Sequence, residues 1–260
     1  MKEGIYQHYR KEEQAFIDYV LEQMAYASSR YCPVTSYFVT PREALIAQQL
    51  ANGQDEVQLA CQGGLPGAER QRLVFYPQYY DLETSDFQIQ ALKIHFPQKF
   101  ANIRHGSILG SLLGAGLERN RIGDIITDGQ DWQVLVDAKI ASYVCQNVTK
   151  MGNVGVRLEY IEPDQVLTPQ VLWEDQTVIT TALRLDTMLS KVYNFSRQRA
   201  KEAVLGGLVK VNYLEINRPD FELEAGDFVS LRKFGRFQID AEEGLTRKDN
   251  IRLKVKVLVV

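Results

Sequence analysis

Residues 184–201 read Arg184-Leu185-Asp186-Thr187-Met188-Leu189-Ser190-Lys191-Val192-Tyr193-Asn194-Phe195-Ser196-Arg197-Gln198-Arg199-Ala200-Lys201, and residues 206–212 read Gly206-Gly207-Leu208-Val209-Lys210-Val211-Asn212. Leu185, Met188, Leu189 and Val192 recur at helical spacing, so a helix opening at Arg184 has one apolar face. Asn194 to Arg197 form a short turn. Ser196 is a good N-cap for a second helix, because its hydroxyl can accept an N–H left open in the first turn. That helix turns Ala200, Ala203 and Val204 inward, and Gly206-Gly207 ends it. Val209 and Val211 open a strand. A turn near Arg218-Pro219-Asp220 and the pair Gly226-Asp227 lead to a second strand with Phe228, Val229 and Leu231. The segment is therefore α-α-turn-β-β.

Charge marks the same segment. The chain has 260 residues, 30 Lys plus Arg and 33 Asp plus Glu, for a formal charge of −3. Residues 183–238 carry ten basic and seven acidic groups (+3), residues 1–182 carry 15 and 22 (−7), and residues 239–260 carry five and four (+1). The balanced total argues against coating nucleic acid through bulk charge, yet it hides a local basic excess. Arg197 and Lys201, four residues apart, share a face near the positive end of the second helix. Free N–H groups and a guanidinium fork there suit phosphate. A solvated face that keeps a small domain soluble is the plain alternative.

Upstream, residues 1–80 read as a small α/β unit. Phe16, Ile17, Val20, Leu21, Met24 and Ala25 form a helical stripe that ends near Ser28-Ser29. Tyr37 to Val39 are β-prone. Thr40-Pro41-Arg42-Glu43 is a capping box with Pro at the first helical position, and the helix it starts stops at Asn52-Gly53. Val57–Cys61 and Leu73–Tyr76 follow as strands across a Gly/Pro loop. Residues 85–163 change rhythm. A strand with Phe87, Ile89, Ala91 and Ile94 is followed by a Gly-rich helix over 108–117. Strands at 122–127 and 134–137, split by Asp128-Gly129, precede a helix over 140–148 and a strand over 154–161. The order β-α-β-β-α-β is ferredoxin-like, an architecture shared by RNA-recognition modules and by many unrelated proteins. The fold class expected is α+β: the N-terminal α/β unit, this ferredoxin-like (RRM-like) middle domain, a linker from Glu162 through Pro169, and a third unit over 181–260.

The motifs Arg184-Leu-Asp-x-x-Leu189, Ser196-Arg197-x-x-Ala200, Gly207-x-Val209-x-Val211-Asn212, Pro219 and Gly226-Asp227-x-Val229 resemble the RNA-binding module named after ribosomal protein S4. With His105-Gly-x-x-Leu109-Gly110 through Gly116-x-x-Arg119-x-x-Ile122-Gly123-Asp124-Ile125, the whole chain resembles the YlmH family, bacterial proteins often encoded beside cell-division genes. The family usually carries an acid-bearing tripeptide after that histidine, where this chain has Gly106-Ser107. The resemblance implies a C-terminal S4-like domain that binds structured RNA through Arg184, Lys191, Arg197, Arg199 and Lys201, with Arg232, Lys233 and Arg236 as further candidates. It implies rRNA or tRNA as partner, on the large ribosomal subunit, since related small proteins act where peptidyl-tRNA obstructs that subunit. Asp186 is expected to orient Arg184 or cap its helix. Arg104, Arg119, Arg121 and Lys150 are candidates for a second RNA face in the middle unit.

Other chemistries lack residues. There is no P-loop lysine, GxSxG or HExxH motif, and Gly110 to Gly116 falls inside a helix pattern without GxGxxG spacing, which suggests close helix packing. His8, His95 and His105 are isolated from one another and from the cysteines, so no metal site is expected. Asp124, Asp128, Asp131 and Asp137 are expected as turn and cap carboxylates. Cys32, Cys61 and Cys145, without CxxC spacing, suit reduced, buried thiols in a cytoplasmic protein. Residues 1–14 are too charged for a signal-peptide core, and the longest apolar stretch, 107–117, is far short of the roughly 20 residues of a membrane span. The expectation is a non-enzymatic RNA-binding protein with no cofactor, no membrane and no DNA partner. An RNA-modifying enzyme with its active site in the N-terminal half, and a protein–protein adaptor of the division machinery, stay open.

Overall fold

The computed structural model describes residues 6–52, 54, 56–168 and 173–259. Gly53 and Pro169, where the sequence places a helix stop and a linker end, lie outside them. The chain forms two compact units, Met1–Gln170 and Val171–Val260.

In the first unit, α1 (Gln14–Arg30) is followed by β1 (Val34–Val39), α2 (Pro41–Ala51), β2 (Val57–Gln62) and β3 (Gln71–Pro77). The strands form an antiparallel sheet in the order β1-β3-β2. Phe16, Ile17, Val20 and Met24 of α1 pack with Ile46 and Ala47 of α2 on Leu73 and Phe75. The α1 stripe differs at one point: Ala25 is exposed and Ala27 takes the buried position. The capping box holds, with the Glu43 N–H donating to Thr40 Oγ1 (3.3 Å) and the Thr40 N–H donating to Glu43 Oε2 (2.7 Å).

The chain continues through β4 (Ile89–His95), α3 (His105–Gly114), β5 (Ile122–Thr127), β6 (Trp132–Asp137), α4 (Ala138–Asn147), the small hairpin β7 (Lys150–Met151) and β8 (Val154–Gly155), and β9 (Arg157–Ile161). The strands β4, β5, β6 and β9 form an antiparallel sheet in the order β5-β6-β4-β9, the ferredoxin-like arrangement. Ile108 and Leu112 of α3, with Ala141 and Val144 of α4, cover one face over Leu92, Ile94, Val134 and Val136. Phe87 lies in a 3-10 turn ahead of β4 rather than on it.

Packing runs across the expected break between residues 80 and 85. Leu65 and Ala68, from the loop before β3, cluster with Ala91, Ile126 and Leu135 on the second face of the four-stranded sheet. The N–H groups of Glu69 and Arg70 donate to the Asp124 carboxylate at 2.7 and 3.0 Å. A Cβ on Gly123 would lie 2.7 Å from the Phe38 ring, so only glycine lets β5 approach β1 there. The expected packing of Gly110 and Gly114 does not occur. A Cβ at Gly106, Gly110 or Gly114 would meet nothing within 4 Å, whereas Gly116 (φ +86°) needs its glycine to leave α3. Helical glycines facing open space cost backbone entropy without a packing return. Gly110→Ala should therefore raise the unfolding free energy by about 0.5–1 kcal/mol, read by urea denaturation; a loss of stability would show that the position is crowded.

The second unit runs β10 (Glu174–Thr180), α5 (Leu185–Val192), α6 (Arg197–Leu205), β11 (Val209–Val211), β12 (Leu214–Glu215), β13 (Phe228–Leu231), β14 (Gly235–Leu245) and β15 (Ile251–Val259). Its antiparallel sheet has six strands in the order β10-β15-β14-β13-β11-β12. The helices pack Leu185, Met188, Leu189, Ala200 and Val204 on Val209, Val229, Phe237 and Val255. The sheet is larger than the sequence suggested: β10 pairs with β15 over Glu174–Thr180, so the unit begins upstream of 181. Asn212 and Tyr213 both have positive φ (50° and 69°), making the tight turn between β11 and β12. The Asn212 amide donates to buried Asp227 (2.8 Å), and Asn212 Oδ1 accepts from the Phe228 N–H (3.0 Å), clamping that turn to the start of β13.

Candidate nucleic-acid interface

Helix α5 begins at Arg184, the N-cap, whose guanidinium donates to both Asp186 oxygens at 3.1 and 2.9 Å. Asp186 thus orients Arg184. Burial would raise the Asp186 carboxyl, but Arg184 and the Thr187 hydroxyl outweigh it and hold it below the usual carboxylate range. Arg184, Thr187 and Lys191 recur three and four residues apart, on one stripe of α5. Ser196 caps α6 by accepting from the Arg199 N–H at 3.2 Å, which sets Arg197 in the first turn. From there Arg197 donates to Thr187 Oγ1 at 3.4 Å, crossing between the helices. Lys201 lies one turn further along the same flank. Arg184, Lys191, Arg197 and Lys201 are all exposed. One seam between α5 and α6 therefore gathers four of the expected cations, beside the open N–H groups of α6.

The other candidates sit elsewhere. Arg199 lies two residues from Arg197 and from Lys201, on the opposite flank of α6, against Phe195 and Phe234. Arg232 and Lys233 are exposed in the β13–β14 turn, which also holds Phe234. Arg236 is on β14, over the ring of Phe228 at 5.7 Å, where Tyr213 stacks at 5.5 Å.

The middle-unit cations divide further. The Arg119 guanidinium donates to the carbonyls of Ile122 and Gly123. Arg121 donates to Asp137 Oδ2. Both serve the turn into β5 and the fold below it. Arg104, the N-cap of α3, and Lys150, on a hairpin whose Gly152 N–H donates to Ser111 Oγ of α3 (3.1 Å), are exposed. The second sheet face is not an open platform for bases. Leu65, Ala68, Val166 and Leu167 cover part of it. Beside them lies a cavity of about 290 Å³ lined by Lys93, His95, Asp131, Gln133 and Glu159, with Leu167 at its edge. In its lining Lys93 pairs with Asp131 at 2.6 Å, and His95 Nε2 lies 2.9 Å from Glu159 Oε2.

The four aspartates do separate structural jobs. Asp128 accepts from the N–H groups of Gln130 and Asp131 in the β5–β6 turn. Asp137 caps α4 through the Lys139 N–H at 3.1 Å and holds Arg72 at 3.0 Å. Asp124 holds the loop before β3, and burial, with Glu69 nearby, pushes its carboxyl up to about 6. The three cysteines are free and half-buried rather than fully buried. Among the described residues, no group of three or more His, Cys, Asp or Glu could hold a metal ion, and no helix is long and apolar enough to cross a membrane.

Three family models match: "YlmH, N-terminal" over residues 12–80, "Putative RNA-binding domain in YlmH" over 83–165, and "S4 domain" over 183–229. The ribosome-associated protein quality control protein P2 of Bacillus subtilis (strain 168) is 38% identical over 249 residues, covering 96% of each chain. A solved structure of the cell division protein ylmH from Streptococcus pneumoniae superposes with a TM-score of 0.54 at 27% identity, covering 63% of this chain and 99% of that one. The matched segments are the same ones that build the α1–α2 layer, the ferredoxin-like sheet and the α5–α6 seam, and together with 38% identity to a curated relative over nearly the full length they establish that the chain belongs to the YlmH family.

Proposed function

We propose that this protein binds structured RNA of the ribosome, with the α5–α6 seam as its phosphate-docking surface, and that it acts on the large subunit in the rescue of stalled translation. The observation that carries the reading is the seam itself. All four of its cations are exposed: Arg184 and Lys191 stand on the α5 stripe that includes Thr187, Arg197 of α6 reaches Thr187, and Lys201 lies one turn further along α6. The match to an S4 domain and the name of the Bacillus subtilis relative support it. Phosphate contacts of this kind fix register on an RNA, and the shape of the RNA supplies most of the selectivity. The role requires no reaction by the protein and places it in the cytoplasm.

Co-sedimentation with purified ribosomal subunits at several salt concentrations tests it. If roughly five phosphates are neutralised, log affinity falls with log salt with a slope of roughly −3 to −5. Association with the large subunit on that slope is expected; no association at any salt would overturn the ribosomal reading.

A further inference from the structure

The flank of α6 away from the seam carries a second arrangement. The Arg199 guanidinium carbon lies 4.0 Å from the ring centroid of Phe195 and 5.2 Å from that of Phe234. The two rings are 4.9 Å apart and nearly perpendicular, at 86°, so they form a corner. Tyr193 backs the corner, 5.9 Å from Phe195 and 6.4 Å from Phe234. Phe234 ends the turn that carries Arg232 and Lys233. Arg199, Arg232 and Lys233 are all exposed.

A phosphate contact needs only a mobile cation, and a lysine in solvent would serve. Here an arginine is packed on aromatic carbon, which restricts its side chain and orients its plane. A guanidinium stacked on one ring while still exposed is a stacking partner for another flat group. In RNA that group is an unpaired base, because a base inside a duplex is already stacked above and below. The cations of the adjacent turn suit the phosphates that flank such a nucleotide.

We propose that Arg199, held by Phe195 and Phe234, is a shelf for one unpaired RNA base, with Arg232 and Lys233 on the neighbouring phosphates. This rests on the RNA-binding reading above and specifies its ligand: a structured RNA that presents an unstacked nucleotide beside the stem docked on the α5–α6 seam.

The test compares two synthetic RNAs of equal phosphate count, a stem closed by a single-stranded loop and a blunt, fully paired duplex, each titrated with the full chain. Wild type should prefer the loop RNA. Arg199→Lys keeps the charge and removes the plane, so it should lower the loop-to-duplex affinity ratio about tenfold, the worth of roughly one stacked base, with the salt slope on each RNA retained. Phe234→Leu, which opens the corner without changing charge, should move the ratio in the same direction. A ratio unchanged in Arg199→Lys would overturn the shelf while leaving RNA binding intact. A wild-type chain that binds neither RNA would overturn the RNA reading itself, and the shelf with it.

Discussion

Replacing Asp137 with asparagine is expected to cost the first unit about 3–5 kcal/mol of folding free energy, a large part of what a domain of this size has. Asp137 is 1% exposed and its partner Arg72 2%. Arg72 also donates to the carbonyls of Ser36 (2.7 Å) and Gln88 (2.9 Å) and lies over the Phe38 ring. Those neutral partners cannot offset a buried charge. Asparagine keeps the shape and leaves the Arg72 guanidinium without its counter-ion, while Arg121, 42% exposed, can turn to solvent. The penalty is that of an uncompensated buried charge rather than the worth of a salt bridge. Urea denaturation followed by circular dichroism reads it; a cost below about 1 kcal/mol would mean that water reaches Arg72.

The acid limb of the same measurement has two parts of opposite sign. Burial would raise the Asp137 carboxyl, but the Lys139 N–H and the Arg121 and Arg72 guanidiniums outweigh it and hold it below the ordinary range. Its contribution is therefore full above the unfolded value near 4 and disappears as pH falls further. Asp124, pushed up to about 6, behaves in reverse. Ionised in both states at neutral pH, it opposes folding. As pH falls from about 6 to about 4 the folded state takes up the proton first, and that opposition is lifted. Wild type should hold or gain stability over that interval and lose it below. Asp137→Asn should lack the loss below pH ~4 that Asp137 supplies.

Reversing charge on the seam is expected to have the largest effect on binding. If the seam docks RNA as proposed, Arg197→Glu/Lys201→Glu removes two phosphate contacts and sets two carboxylates in their place. At about tenfold per contact, affinity for the large subunit should fall at least about 100-fold, and the magnitude of the salt slope should fall by about 2. Loss of fold cannot imitate this. Both side chains are exposed, and among the described residues the bond lost is the long 3.4 Å contact to Thr187. A glutamate in the first turn of α6 is, if anything, favoured by the helix dipole. Sedimentation across a salt series, with thermal denaturation alongside, separates the two effects. Unchanged sedimentation of the double variant would show that the seam is not the docking surface.

Local signals carried much of the fold. Thr40 with Glu43, Ser196 ahead of Arg197, Gly206-Gly207 and Asp128-Gly129 act within a few residues of themselves, so a capping box, an N-cap, a helix stop and a hairpin stand where the sequence puts them. The α5 stripe and the ferredoxin-like strand order were legible for the same reason. The β14–β15 hairpin and β10 lie outside the elements expected from the sequence, although Arg252, Lys254 and Lys256 alternate with Leu253, Val255 and Val257. That period of two is the signal that finds β15, and its buried members sit in the second unit's core. What β15 pairs with is a different question, because Thr180 meets Ile251 from seventy-one residues away in the chain.

By itself the sequence determined the element order, the S4-like segment and the concentration of positive charge in it, because each depends on spacing within a turn or a strand. Tertiary structure alone decided what the charges do. Arg119 and Arg121 look like Arg197 in sequence, yet the first two serve carbonyls and a buried carboxylate inside the fold, and only the last meets a second helix at an exposed seam. Arg197 and Arg199, two residues apart, are placed on opposite flanks of α6 by its rotation, one toward Thr187 and the other onto Phe195. A charge has no periodicity of its own. Its role depends on which distant oxygen or ring the finished fold brings within a few ångströms, and on how much water remains beside it.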